Sequence, residues 1–146
     1  MKHVFYTGMV TWAQVDMNRH MRHSAYADFA AQARILMLES IGLPEMEFVK
    51  NTIGPILFRE EILYRREAKL NDEIRVTCLL TKSREDATRW SLKHQLYRQD
   101  DVLVAELNVD GSWIDMKKRK LAVLPTDFAT KFLSIPKSDD FELEII

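Results

Sequence analysis

Residues 16–41, D-M-N-R-H-M-R-H-S-A-Y-A-D-F-A-A-Q-A-R-I-L-M-L-E-S-I, change character partway along. The opening places a carboxylate, an amide and two imidazoles, those of Asp16, Asn18, His20 and His23, in a short polar stretch. From Ser24 to Ile41 the spacing becomes helical. Tyr26, Phe29, Ala30, Ala33, Leu36 and Met37 make one stripe, and Ala27, Ala31, Ile35 and Leu38 cover much of the remainder. Only Asp28, Gln32, Arg34 and Glu39 interrupt. Ser24 is the expected N-cap, Asp28 lies in the early turns where negative charge is favoured, and Gly42 with Pro44 gives a stop. A helix that is apolar nearly all round is buried, not laid on a surface. One long buried helix in a small domain must be wrapped by other elements, and that requirement decides the fold.

The rest of the chain reads as the wrapping. Val4–Ala13 is rich in β-branched and aromatic residues and predicts a strand. Ile53–Arg65 predicts another. In Ile74–Leu80, Ile74, Val76, Cys78 and Leu80 alternate with Arg75, Thr77 and Leu79, the period of a half-buried strand. Arg89–Arg98 and Val102–Asp115 follow, the second with Leu103, Ala105, Leu107 and Val109 at period two. Gly111 inside that run implies a bulge or a close backbone approach. Short polar links at Ser83–Thr88 and Gln99–Asp101 suit hairpins and an antiparallel sheet. Thr126–Leu133, after Pro125, is a short amphipathic piece. Ser134–Ile146 reads as a loosely packed tail. The expectation is one α+β domain over residues 1–146, a curved antiparallel sheet around one central helix.

Composition narrows the function. The 146 residues are 47% apolar, as a chain with a real core requires, and the net charge is -1. Such a balance gives no field that would recruit nucleic acid or acidic membranes. The single cysteine, Cys78, excludes an internal disulfide and a cysteine-rich metal site, and its place in the alternation makes it a core thiol. The four glycines, Gly8, Gly42, Gly54 and Gly111, are too scattered for a dinucleotide fingerprint, a phosphate loop or a G-x-S-x-G elbow. Met1–Met9 lacks a signal-peptide pattern, and no window reaches the ~20 apolar residues of a membrane span, so a cytoplasmic location is expected.

The order strand, polar loop, buried helix, hairpin strands resembles the hotdog fold. The loop resembles that of the 4-hydroxybenzoyl-CoA thioesterase branch, whose pattern is an aspartate, then Gly-His-Val-Asn-Asn, then a tyrosine opening the helix. Asp16 matches the aspartate, His20 the histidine, Met21 the valine and Tyr26 the tyrosine. Asp16-Met17-Asn18-Arg19-His20 is also similar to the D-x-N-x-H loop of plant acyl-ACP thioesterases. Ala33-Arg34 matches a pair found midway along the family helix. Gly111-Ser112-Trp113-Ile114-Asp115, with Arg119-Lys120 and Pro125, looks like the family's closing strand. Arg19 stands where the family has glycine, and Arg22-His23 where it has Asn-Asn. The hotdog hydratases use D-x-N-P-x-H; the spacing here is one residue shorter and has no proline, which argues against hydration chemistry.

The resemblance implies hydrolysis of an acyl-CoA thioester to a carboxylate and free coenzyme A. Asp16 can attack the carbonyl or activate water. Asn18 can orient the water or Asp16, and His20 can brace the loop. An N–H near His23 would hold the developing oxyanion at the helix N-terminus. Tyr26, Arg119 and Lys120 are the expected substrate-binding residues, the last two for coenzyme A phosphates; Lys82, Arg84, Arg89 and Lys93 form a second basic gathering. Asp28 and Gln32 are a polar stripe that can face the cleft, with Asp28 as a second candidate carboxylate. His20 and His23 lie at a spacing that would suit a metal pair, but no further cluster supports one, so no metal and no separate cofactor is expected. Open sheet edges and the family likeness imply a homodimer or a homotetramer built as a dimer of dimers. Acyl-ACP hydrolysis, and a non-catalytic acyl-CoA binding or sensor module, are the competing readings.

Overall fold

The computed structural model describes residues 1–146. In chain order the elements are β1 (Val4–Met9), a 3-10 turn (Trp12–Gln14), α1 (His23–Ser40), α2 (Glu45–Asn51), β2 (Ile53–Tyr64), β3 (Glu73–Thr77), β4 (Leu79–Arg84), β5 (Trp90–Tyr97), β6 (Leu103–Asp115), β7 (Lys120–Leu121), α3 (Thr126–Phe132) and β8 (Lys137–Glu144). All eight strands join one sheet. β5 pairs antiparallel with β3 and β4 on one side and with β6 on the other. β6 continues to β2, while β1 and the parallel strand β8 lie along β3 and β4. No helix is long and apolar enough to cross a membrane.

Alternation in β5 shows which face the sheet turns to the helix. Trp90, Leu92, His94 and Leu96 are buried, whereas Ser91, Lys93, Gln95 and Tyr97 are half-buried. The core forms two clusters along α1. The N-terminal one joins Tyr26, Phe29, Ala30 and Ala33 to Ile74, Val76, Leu96 and Leu107. The C-terminal one joins Met37 and Leu38 to Trp90, Leu92, Trp113, Phe128 and Phe132. The expected curved sheet around one helix is present.

Several expectations need correction. α1 is buried along one side through Ala25, Tyr26, Phe29, Ala30, Ala33, Met37 and Leu38, but Ala31 is exposed and Ala27, Ile35 and Leu36 are half-buried. One sheet can cover only one side of a cylinder. Arg22, not Ser24, is the N-cap residue, because its N–H is held by the Gln14 carbonyl at 2.7 Å and its own carbonyl already receives the Ala25 N–H at 3.0 Å. The first strand stops at Met9, short of Ala13. The Val10 N–H leaves for the Asp72 carbonyl, and Thr11 and Gln14 close the 3-10 turn. The run Ile74–Leu80 keeps one register against β5 but is split at Cys78. There the Thr77 carbonyl accepts from His94 Nδ1 at 2.9 Å, and the Thr77 hydroxyl accepts the Gln95 N–H at 3.0 Å.

The tail is not loose: Lys137–Glu144 pairs in parallel with β4. Its sequence hides this, since only Ser138 and Phe141 are better than exposed. α2 is a further difference, since Pro44 is expected only as a stop. Pro44 is the N-cap residue of a short helix with Glu45 and Glu47 in the first turn, Lys50 in the last and Phe48 buried.

Gly111 is the close approach foreseen. A Cβ there would lie 2.4 Å from Trp90 Cη2 and 2.6 Å from the Ile56 carbonyl oxygen. The bulge is on the partner strand, between Leu57 and Arg59. Because backbone cannot swing aside, Gly111→Ala is expected to destabilise the fold by about 1–3 kcal/mol. A lower urea midpoint at an unchanged m value would show it; an unchanged midpoint would mean that β2 shifts freely.

Candidate active site

The loop before α1 is a tight hairpin, with Val15 bridged to Met21. The Asp16 N–H donates to the His20 carbonyl at 2.9 Å, and the Arg19 N–H donates to the Asp16 carbonyl at 3.0 Å. Asp16 Oδ1 accepts the Asn18 N–H at 2.8 Å and the His20 N–H at 3.3 Å. These bonds fix the carboxylate and leave Oδ2 without a hydrogen bond inside the chain. The loop is pinned beneath by a His20–Lys69 bridge and by the Met21 N–H on the Ala68 carbonyl at 2.7 Å. On its far side the Arg22 guanidinium donates to the Ala13 carbonyl and to Ser24 Oγ.

Arg19 has φ 63°, the left-handed region. This explains the glycine of the resembling loops: the turn keeps its shape here and carries strain that glycine would not. Arg19→Gly is therefore expected to stabilise the chain by about 1 kcal/mol. Equilibrium denaturation measures it, and a destabilised variant would show that the arginine side chain contributes more than the turn costs.

Asp16, Asn18, His20, His23 and Tyr26 all line one open cleft of about 330 Å³. The cleft sits at the start of α1, where no side chain caps the helix, so the His23 and Ser24 amides face outward from its positive end. Asp16 and Asn18 are exposed, His20 is half-buried and Tyr26 is buried. Burial chiefly, then Tyr64, Asp16 and Glu67, raises the Tyr26 pKa, so its hydroxyl stays protonated and can donate.

The other wall comes from Tyr64, Arg65, Arg66 and Glu67, at and beyond the end of β2. None of the four is among the residues expected at the site. The Tyr64 ring lies 4.9 Å from the His23 ring and edge-on to Tyr26 at 5.1 Å. Glu67 is held below the usual carboxylate range, first by its own amide and then by the nearby His20, Arg98 and Lys69. An aromatic residue followed by three charges at a strand end was the available signal. It acquires meaning only when pairing returns that end to the start of α1.

The remaining expected residues are not in this cleft. Asp28 and Gln32 are exposed on α1 and do not line it, because Asp28 is turned about 140° from His23 around the helix. Arg119 lies in the β6–β7 turn and Lys120 opens β7 opposite Asp115, which also pairs with Ile53, whereas Tyr64 at the cleft pairs with Ala105. Ten residues of β6, about 33 Å of strand, separate the two ends. Lys82, Arg84 and Arg89 share a different groove of about 270 Å³ with Phe58, over which the Arg89 guanidinium sits at 4.6 Å. Cys78 is a fully buried thiol with its pKa pushed up to about 12 by burial, as a core residue should be.

Residues 10–132 match the model of the thioesterase-like superfamily. Among solved structures, a hypothetical protein from Staphylococcus aureus in complex with CoA is 25% identical, with a TM-score of 0.82 over 91% of this chain and 84% of that one. A 1,4-dihydroxy-2-naphthoyl-CoA thioesterase from Synechocystis is 19% identical, with a TM-score of 0.76 over 88% and 94%. A DHNA-CoA thioesterase from Staphylococcus aureus is 15% identical, with a TM-score of 0.81 over 88% and 87%. No curated protein sequence matches the chain. The fold is that of the hotdog thioesterases, as the loop and helix implied.

Proposed function

The chain belongs to the thioesterase-like superfamily of hydrolases, and we propose that it cleaves acyl-CoA thioesters to a carboxylate and free coenzyme A, using Asp16. The observation that carries this reading is the Asp16 carboxylate, held by two backbone N–H groups with Oδ2 free, in one cleft with the uncapped N-terminus of α1. The thioester oxygen would sit on the His23 and Ser24 amides, where the helix dipole favours the charge that develops on attack. Asp16 Oδ2 would then deprotonate water or attack the carbonyl carbon, and the thiolate would leave. Asn18 and His20 would hold the loop and the water, and the Tyr26 hydroxyl would donate to the substrate. The complex of the Staphylococcus aureus relative with CoA supports coenzyme A over a protein-bound carrier.

The cleft is open and α1 is uncovered along Ala31, beside the exposed Pro55, Leu57 and Phe58 of β2. A homodimer, alone or doubled, would close both. In that assembly Arg119 and Lys120 can reach coenzyme A phosphates only across the interface, because within one chain they lie at the far end of β6.

The test is thiol release from a panel of acyl-CoA and acyl-ACP esters. Release from at least one CoA ester, and faster from CoA than from ACP, is the expected result. Saturable binding of the CoA esters with no release would instead make the protein a binding module.

A further inference from the structure

The segment that walls the Asp16 cleft has no regular structure of its own. Residues 65–72, between β2 and β3, form neither helix nor strand beyond the single bridge of Lys69 to His20. The same segment carries the Asp16 loop. At one end of the loop the Met21 N–H rests on the Ala68 carbonyl at 2.7 Å. At the other end the Val10 N–H rests on the Asp72 carbonyl, and the Asn71 N–H on the Val10 carbonyl, both at 2.9 Å. The place of Asp16 Oδ2 relative to the His23 and Ser24 amides therefore depends on what holds residues 67–72.

The turn between β5 and β6 holds them. Arg98 Nη1 donates to the Glu67 carbonyl at 2.9 Å. The guanidinium is itself clamped from behind, with Nε donating to Asp100 Oδ1 at 3.0 Å and Nη2 to Asp100 Oδ2 at 2.9 Å. This is the two-pronged fit of guanidinium to carboxylate, which fixes direction as well as distance. The hydrogen-bonded pair keeps Arg98 charged and holds Asp100 below the usual carboxylate range. Gln99 grips the other end of the segment. Its Oε1 accepts the Glu73 N–H at 2.9 Å and its Nε2 donates to Asp72 Oδ1 at 3.0 Å, while Asp72 Oδ2 accepts the Lys69 N–H at 2.8 Å. The turn is closed on itself: the Arg98 N–H donates to the Val102 carbonyl at 3.0 Å, and the Arg98 carbonyl accepts the Asp101 N–H at 3.0 Å and Arg75 Nη2 at 2.8 Å. Arg98 does not line the cleft. Its bond to Glu67 is thus one step from the cleft wall and two from the loop that bears Asp16.

We propose that Arg98 is a positioning residue for the reaction at Asp16, holding Glu67, Ala68 and Lys69 so that the loop above them keeps its carboxylate aligned with the start of α1. This rests on Asp16 as the reacting group. Arg98 touches no substrate, so its contribution lies in geometry: a misplacement of about 1 Å at a reacting group can cost about 100-fold in rate. The pair with Asp100 is partly exposed, and such pairs contribute little to global stability.

The test compares wild type, Arg98→Met, Arg98→Lys and Asp16→Asn in thioester hydrolysis, with amide hydrogen exchange and chemical denaturation on the same proteins. Arg98→Met should lower kcat by about 10–100-fold while KM stays within about threefold. Its denaturation midpoint should stay close to wild type, and its Met21 amide should exchange about tenfold faster, because local opening of the loop no longer has to break the Arg98 bond. Arg98→Lys keeps one donor and the charge but not the fork, so it should recover part of kcat. Wild-type kcat in folded Arg98→Met, beside an inactive Asp16→Asn, would overturn this proposal alone. So would a loss of kcat that only follows a lowered midpoint, with Met21 exchange unchanged relative to the rest of the chain. Full activity of Asp16→Asn would overturn the reading of Asp16 itself, and this proposal with it.

Discussion

Asp16→Asn is expected to lower kcat for CoA thioester hydrolysis by about 10²–10⁴-fold, the usual contribution of a positioned base. Asparagine is the informative replacement. Asp16 Oδ1 accepts two backbone N–H groups that shape the loop, and the amide oxygen of asparagine can accept both. The turn should therefore survive, along with the position of the α1 N-terminus. What is lost is the charge on Oδ2 and its capacity to take a proton or form a bond. KM should stay within a few-fold, because ground-state contacts to coenzyme A do not pass through this atom. Asp16→Ala removes the turn bonds as well, so it should lose activity to a similar degree and also show a lower denaturation midpoint. If folded Asp16→Asn turns over at the wild-type rate, Asp16 leaves the mechanism, and Glu67, the other carboxylate lining the cleft, becomes the group to test.

Trp113→Ala should be the most damaging single change to stability, costing about 3–5 kcal/mol from the cavity it opens. Trp113 is 1% exposed and sits at the centre of an aromatic cluster. Its ring lies 5.1 Å from Phe128, 5.4 Å from Phe132, 5.7 Å from Phe48 and 5.9 Å from Trp90. These neighbours come from α3, α2 and β5, so one residue on β6 ties three elements that the sheet ladder does not join to one another. Its indole N–H also donates to the Ala87 carbonyl at 2.8 Å. Removing the donor leaves that carbonyl unpaired, which adds to the cost. Trp113→Phe should recover most of the packing and none of the hydrogen bond. Chemical denaturation separates the two variants, and a loss below 1 kcal/mol for the alanine variant would mean that α2 and α3 collapse inward to fill the space.

The loop residues were legible because their chemistry is local. A carboxylate followed by Asn18 and His20 makes its own turn through bonds spanning two to four residues. The helix that follows declares itself by spacing alone, and its stop at Gly42 is realised with φ 86°. The strands that alternate cleanly, such as Trp90–Tyr97, were legible for the same reason. The wall of the cleft was not. Tyr64 and Glu67 follow α1 by more than twenty residues, and nothing near them in sequence says that β2 ends beside His23. The edge strand Lys137–Glu144 was hidden too, because Phe141 is the one residue of it that packs against the core, which leaves no alternation to read.

By itself, then, the sequence determined the parts whose physics is short in range: a polar turn that holds a carboxylate, a helix with an unsatisfied start, strands of period two and a glycine where no side chain fits. Tertiary structure decided what those parts meet. It placed Tyr64 through Glu67 opposite Asp16, kept Arg119 and Lys120 at the far end of β6, and covered only one side of α1. The physical reason is that pairing register and packing join residues far apart in the chain. Such contacts leave no periodic trace in either partner.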